Sequence, residues 1–380
     1  MKFLHISDLH IGKRVNEFPM IEDQKYILKQ ILSIAEEESV DVVLLAGDLY
    51  DKPVPSGEAV QVFDWFLTEL ADRNRTVFAV SGNHDSAERI AFGASLMSSR
   101  GVHVSPVYDG TMARRCLTDG YGELFVYLMP FLRPATVRHA LMDQPDSRQP
   151  ESYQEAVEAA LGRMEIDPGQ RNILVAHQFV TGAGRCESEE AAVGGVDNID
   201  AEVFDDFDYV ALGHLHSPQS IGRETVRYCG TPLKYSFSEA GQEKSVTVVE
   251  IKEKGNVQLH TVPLVPLHDL RILRGTYEEV MSKEFYRDLD TQDYVKIILT
   301  DEEDIPDGMQ RLRNVYPRLM RLEYDNSRTR ERRNVEGAAA VEHRQPLELF
   351  EEFYEMQNNQ TMNAAQKEYI RCLLDKLQEG

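Results

Sequence analysis

The sequence predicts an α/β protein: a layered domain followed by a small mixed domain and helices. Three observations lead there. Short apolar runs rich in β-branched residues recur through the first 265 residues, segments of helical length separate them, and after Leu212 the runs shorten and alternate with turns. At 380 residues the chain has room for two domains and a tail. Its 42% hydrophobic and 28% charged residues supply a core and exclude an intrinsically disordered chain.

The pattern places strands at about 3–6, 40–46, 77–80, 124–129, 173–176 and 209–212, with helices at about 20–38, 56–73 and 152–164. Strands at about 225–229, 245–252 and 257–262 read as antiparallel additions that finish a second sheet. Pro263, Pro266 and His268-Asp269 mark a boundary, giving a first domain of 1–268. A smaller unit, 269–326, follows, with a helix near 276–288, a strand at 294–300 and a helix near 307–315. Residues 327–345 read as a linker. Residues 346–380 read as two amphipathic helices, with Leu347, Phe350, Phe353 and Tyr354 on one and Tyr369, Ile370, Leu373, Leu374 and Leu377 on the other.

Cys116, Cys186, Cys229 and Cys372 are scattered, which fits neither a disulfide scaffold nor a zinc ribbon and suits a reducing cytoplasm. The opening apolar run is broken by His5 and stopped by Asp8, so it does not read as a secretory signal. No stretch approaches the roughly 20 apolar residues of a membrane span. A net charge of −23 argues against a protein that grips a polyanion by a broad basic surface. Two things reverse that locally: bound divalent cations, or a basic segment. Such a segment exists, since residues 311–333 carry eight arginines against three acids.

Five motifs sit at the ends of predicted strands: Asp8-Leu9-His10, Gly47-Asp48-Leu49-Tyr50-Asp51, Gly82-Asn83-His84-Asp85, Ala176-His177 and Gly213-His214-Leu215-His216. Loops leaving the carboxyl ends of strands in an open α/β sheet converge on one rim, so residues distant in sequence become one cluster. Asp8, His10, Asp48, Asn83, His177, His214 and His216 give a mixed oxygen and nitrogen donor set without thiolates. It is too large for one tetrahedral zinc and suits two manganese-like ions. Each motif alone has a plainer reading: a surface pair, a turn signal or an exposed strand end. Their joint occurrence, each in a strand-to-loop context, favours the metal reading.

The series D-x-H, G-D-x-x-D, G-N-H-D, H and G-H-x-H resembles the calcineurin-like metallophosphoesterase superfamily. The segments 2–12, 196–201, 207–216 and 229–240 are similar to its SbcD branch, the nuclease subunits of bacterial SbcCD complexes. That resemblance implies a four-layer α-β-β-α sandwich with a small α+β capping domain and C-terminal helices. It implies that Asp8, His10, Asp48 and His216 hold one ion and Asp48, Asn83, His177 and His214 the other, with Asp48 shared. The ions are two Mn²⁺, with Mg²⁺ as the alternative. His84, outside the ligand set, becomes the proton donor to the leaving oxygen or a stabiliser of the transition state. Asp51 is either its orienter, as in phosphatase relatives, or a solvated loop carboxylate; archaeal and eukaryotic nuclease relatives usually carry histidine there. Asp85 reads as a partner that fixes a ligand.

The resemblance further implies a Mn²⁺-dependent DNA nuclease: 3′-to-5′ duplex exonuclease, single-strand endonuclease and hairpin opening. It implies a cytoplasmic, nucleoid-associated repair complex with an SbcC-type coiled-coil ATPase held by the tail, and a homodimer. ATP acts through that partner, because the sequence has no G-x-x-x-x-G-K-[ST] loop. Arg328, Arg330, Arg332 and Arg333 are candidate DNA contacts or, alternatively, a solvated salt-bridged face. The tail stripes either dock the ATPase or pack on the protein itself. Val60, Phe63, Leu67 and Leu70 face either a second copy or the chain's own sheet. The runner-up function is a stand-alone phosphoesterase for nucleotides or phosphoproteins, and a third is a metal-bound scaffold that does not cut.

Overall fold

The computed structural model describes residues 1–142, 149–184, 186, 189, 198–327, 329, 350–351, 354, 362, 366–367 and 369–370. The chain divides into two units. One comprises Met1–Leu273, Met281–Ile297 and Met309–Leu322; the other comprises Arg274–Val280, Ile298–Gly308 and Glu323–Gly380.

The first unit is built on two six-stranded sheets. In the first, Lys2–Ile6, Val42–Ala46, Thr76–Val80 and Val102–Val104 run parallel in that order, with Ser245–Ile251 antiparallel beside Lys2–Ile6 and Val257–Pro263 at the edge. In the second, Gly122–Met129, Arg171–His177, Tyr209–Gly213 and Arg223–Tyr228 run parallel, flanked by Ala113–Asp119 and Gln219–Ile221. The strands of residues 245–263 therefore finish the first sheet, not the second as the sequence pattern suggests. The alternation of apolar residues does not say which sheet edge a strand returns to.

Alternation within strands sets the layers. Phe3, Val42, Leu44, Phe78 and Val80 meet Leu124, Val126, Ile173, Val175 and Tyr209 in a core between the sheets. Leu4, Ile6, Val43 and Leu45 point the other way, onto the helices Ile21–Glu37 and Gly57–Asp72. Tyr127, Leu174 and Val210 likewise cover Tyr153–Leu161 on the far side of the second sheet. The order is helix, sheet, sheet, helix: the four-layer sandwich. Ser56 starts its helix by accepting the Ala59 N–H at 3.2 Å. Phe63 and Leu70 from the predicted stripe are buried in this core and Leu67 packs partly on it, while Val60 is exposed.

Leu270–Gly275, Tyr294–Leu299 and Leu319–Tyr324 form a three-stranded sheet. The helix expected near 276–288 is two short helices, Tyr277–Val280 and Lys283–Tyr286, because Ser282 leaves the helical conformation and caps the second. The helix expected near 307–315 is confined to Gly308–Leu312. Among the described residues no helix is long and apolar enough to cross a membrane.

Candidate metal centre

The parallel strands Lys2–Ile6, Val42–Ala46 and Thr76–Val80 deliver three of the motifs to one rim, and Arg171–His177 and Tyr209–Gly213 deliver the other two. Backbone bonds lace the loops together: Asp8 N–H donates to Gly47 O at 3.0 Å and His10 N–H to Asp48 O at 2.9 Å. Four of the seven candidate ligands hold positive φ: Asp8 at 52°, His10 at 43°, Asp48 at 47° and His214 at 107°. Non-glycine residues adopt this region at a cost of order 1–3 kcal/mol each, and such residues cluster at functional sites. Two glycines are required by close approach, since a Cβ at Gly82 would overlap the Asp48 carboxylate and one at Gly213 the Ala46 carbonyl.

The side chains that these loops present are almost entirely removed from water. Asp8, His10, Asp48, His177, His214 and His216 are all buried. Three overlapping groups bring one donor atom per residue within 4.8 Å of one another: Asp8, His10 and His216; Asp8, Asp48 and His177; and His10, Asp48 and His84. Asn83 Oδ1 lies 3.0 Å from both His177 Nε2 and His214 Nδ1. All seven residues named from the sequence thus meet in one place.

Their polar atoms fit cations better than they fit one another. His177 Nδ1 faces the Ala46 carbonyl at 2.8 Å and so carries a proton. Its Nε2 then looks at two acceptors, Asn83 Oδ1 and, at 3.3 Å, Asp48 Oδ2. Without metal the conflict is relieved by protonation. Burial opposes a charged His177, but Asp48 and Asp8 push it up to about 9. Burial likewise opposes ionisation of Asp48, yet His177, His10 and His84 hold its carboxyl well below the usual carboxylate range. Burial, with Asp48 adding repulsion, raises Asp8. Burial keeps His10 far below the ordinary histidine range, and its buried Nδ1 has no hydrogen-bond partner among the described residues. The Nε2 atoms of His10 and His216 face each other at 3.2 Å. Divalent cations would satisfy this oxygen and imidazole set, which is otherwise costly to bury.

Comparison with known proteins agrees with the geometry. Residues 1–218 match the family described as calcineurin-like phosphoesterase, and residues 266–358 match the SbcD C-terminal family described as type 5 capsule protein repressor C-terminal domain. A curated protein of Staphylococcus epidermidis, the D subunit of nuclease SbcCD, is 32% identical over 98% of this chain and 98% of its own length. The chain belongs to the SbcD family of calcineurin-like phosphoesterases. Among solved structures it is similar to a dimetal phosphatase from Danio rerio (11% identity, TM-score 0.40, covering 70% of this chain and 98% of that one). It is also similar to the calcineurin-like phosphoesterase YfkN from Bacillus subtilis (13% identity, TM-score 0.33, covering 70% and 90%).

As a calcineurin-like phosphoesterase the chain is a metal-dependent hydrolase. In this phosphoesterase His84 stands at the mouth of the cluster. Its N–H donates to Asp48 Oδ1 at 2.9 Å, its Nδ1 lies 3.2 Å from the Asp51 carbonyl, and its Nε2 lies 4.0 Å from Asp48 Oδ2. The Asp51 main chain, not its carboxylate, therefore meets the His84 ring. The carboxylate pairs with Lys13 at 2.7 Å, because that ammonium comes from the neighbouring loop and is only 15% exposed. Asp85 accepts three backbone N–H groups, from Gly82 at 2.9 Å, Tyr50 at 3.0 Å and Leu49 at 3.1 Å. It ties the loop bearing Asp48 to the loop bearing Asn83. Burial and the nearby Asp48 raise its carboxyl to about 6.

Sequence reasoning missed several supports. Ser7 donates to Asp8 and lies 3.1 Å from Cys229 Sγ. Gln24 Nε2 donates to His10 O at 2.8 Å, and Tyr235 O–H to Leu9 O at 2.6 Å. Glu239 and Lys244 form a buried pair beside His216. The stretches 2–12 and 229–240, noted for their resemblance, contain Ser7, Cys229, Tyr235 and Glu239; nothing in local pattern marked Gln24 or Lys244. Arg313 and Arg318 from the basic segment hold local structure, donating to Leu319 O at 3.2 Å and Gln292 O at 3.0 Å. Arg328, Arg330, Arg332 and Arg333 lie outside the described residues, as do Leu347, Phe353, Leu373, Leu374 and Leu377 of the tail.

Proposed function

We propose that this phosphoesterase is the nuclease subunit of an SbcCD-type complex, hydrolysing DNA phosphodiesters with two divalent cations, Mn²⁺ in preference to Mg²⁺. The reading rests on one observation above the others: the convergence from five loops of Asp8, His10, Asp48, His177, His214 and His216, all buried, with the partly buried Asn83. It draws its substrate and partner from the curated relative, whose name assigns it to nuclease SbcCD.

Bound cations would lower the pKa of water and neutralise charge on the phosphate oxygens. Asp8, His10, Asp48 and His216 would hold one and Asp48, Asn83, His177 and His214 the other. The protein's own part is to keep these donors dry and fixed, and to supply a proton. His84 suits the second role, because the Asp51 carbonyl occupies its Nδ1 and leaves Nε2 to protonate the leaving oxygen. The cations would also offset the net charge of −23 where the substrate backbone enters.

The finer activities are 3′-to-5′ duplex digestion, single-strand cleavage and hairpin opening, in a homodimer serving DNA repair, recombination and replication in the cytoplasm. We assign 1–268 to hydrolysis, 269–326 to capping the DNA, 327–345 to a linker and 346–380 to holding the coiled-coil ATPase. The test is the purified protein with Mn²⁺ or Mg²⁺, offered single-stranded DNA, blunt duplex, a hairpin, a cyclic nucleotide and a generic phosphodiester. Metal-dependent cleavage of DNA is expected. Cleavage of the small substrates alone would replace the reading by a stand-alone phosphoesterase, and no cleavage at all would leave a scaffold.

A further inference from the structure

A buried ion pair grips one metal-ligand candidate from two sides. Lys244 is 5% exposed and Glu239 is fully buried. The Lys244 ammonium donates to Glu239 Oε2 at 2.6 Å, to Thr231 Oγ1 and Gln242 Oε1 at 2.8 Å, and to the main-chain carbonyl of His216 at 2.9 Å. Glu239 Oε1 accepts from Ser236 O–H at 3.0 Å and Tyr235 N–H at 3.3 Å, and faces His216 Nδ1 at 3.6 Å. The His216 carbonyl also accepts the Thr231 N–H at 3.1 Å. One pair therefore meets both the backbone and the ring of His216.

Stability alone does not explain such a pair. Two buried charges lose hydration that their attraction barely restores, and apolar residues of the same volume often serve as well. Direction is what the pair adds. A carboxylate on the Nδ1 side of an imidazole fixes the ring and presents Nε2 to a cation, the usual outer support of a metal-bound histidine. Here Nε2 of His216 points at Nε2 of His10, 3.2 Å away, beside Asp8.

We infer that Glu239, itself held by Lys244, is a positioning residue that aims His216 and so sets the affinity of the ion shared by Asp8, His10 and His216. The inference rests on the two-cation reading above and adds a residue pair to it.

The experiment is equilibrium dialysis of the full chain against Mn²⁺, with melting of the metal-free protein measured in parallel. Wild type binds two ions. Glu239→Gln weakens one of them about 10–100-fold and leaves the other as it was. Lys244→Met strands the carboxylate and lowers the metal-free melting temperature by about 5–10 °C. The double variant, Glu239→Gln with Lys244→Met, recovers most of that temperature yet keeps the weakened site. A general structural role would move melting and binding together and would give no such separation. If Glu239→Gln does not fold, the double variant decides. Two ions bound as tightly as in wild type, in either variant, would overturn the inference alone. A wild-type protein that binds no Mn²⁺ would instead overturn the two-cation reading beneath it.

Discussion

Asp48→Asn separates the site's chemistry from the stability of the fold. Asp48 Oδ2 lies 3.3 Å from His177 Nε2, and at an effective dielectric near 20 such a pair of unit charges attracts by about 5 kcal/mol. Opposing it are the several kcal/mol needed to bury each ion and the repulsion that Asp48 exerts on Asp8 and Asp85. Once Asp48 is neutral, His177 can shed the proton that the carboxylates keep on it, so no charge is stranded and the terms nearly cancel. The metal-free variant should differ from wild type by only about 1 kcal/mol, or about 2–4 °C in melting temperature. Metal changes the outcome. At a hundredfold excess over Kd a cation stabilises wild type by about 2.7 kcal/mol, or about 5–10 °C. The variant, lacking the carboxylate proposed to serve both cations, should gain less than a third of that and lose its hydrolytic activity. The assay is thermal melting with and without Mn²⁺ near neutral pH, with bound metal counted by plasma mass spectrometry. A variant that gains as much as wild type from Mn²⁺ would refute the reasoning, as would one that loses most of its stability before metal is added.

Three further outcomes follow from the same geometry. His84→Gln should lower phosphodiester turnover by about 10²–10⁴ while two ions stay bound, and unchanged turnover would remove His84 from the chemistry. Asp85→Asn replaces a carboxylate that accepts three N–H groups with an amide that has one oxygen, so it should cost about 2–3 kcal/mol and weaken metal binding; intact melting would contradict the clamp role. Arg171→Met removes the guanidinium that holds Asp119 below the usual carboxylate range and also bonds Glu123, Gly122 and Lys252 carbonyls, for about 3 kcal/mol near neutral pH. Because Asp119 is depressed in the folded state, its part of that stability is present above about pH 4 and lost as pH falls further. The deficit between Arg171→Met and wild type should therefore narrow in acid, and a deficit independent of pH would assign the effect to packing.

The cluster is legible in the sequence because five motifs of aspartate, asparagine and histidine recur at strand ends, a joint occurrence that the plainer reading of each motif alone does not explain. The strands that bear them are legible through β-branched apolar runs such as Val42–Ala46. What supports the donors is legible only in part: Asp85 is named from the sequence as fixing a ligand, but its partners are not. Asp85 acts through three main-chain N–H groups, those of Leu49 and Tyr50 lying 36 and 35 residues away, and Glu239 reaches a histidine in another loop. No local period records such pairings. Asp51 illustrates the same limit, since its partner Lys13 is adjacent only once the strands Lys2–Ile6 and Val42–Ala46 lie side by side. The edge strand Ala113–Asp119 is hidden from the apolar pattern because Arg114, Arg115 and Cys116 are exposed and break it. The helix expected at 276–288 is interrupted by a serine that starts a new one, a break that hydrophobic spacing alone does not register.

The most direct measurement is a crystal of the protein grown with manganese and measured at the manganese absorption edge. Two anomalous peaks about 3.5–4 Å apart are expected, with the Asp48 carboxylate between them and the four imidazoles of His10, His177, His214 and His216 turned toward them. No peak in that pocket, or imidazoles turned away from it, would mean that these residues do not form a metal centre.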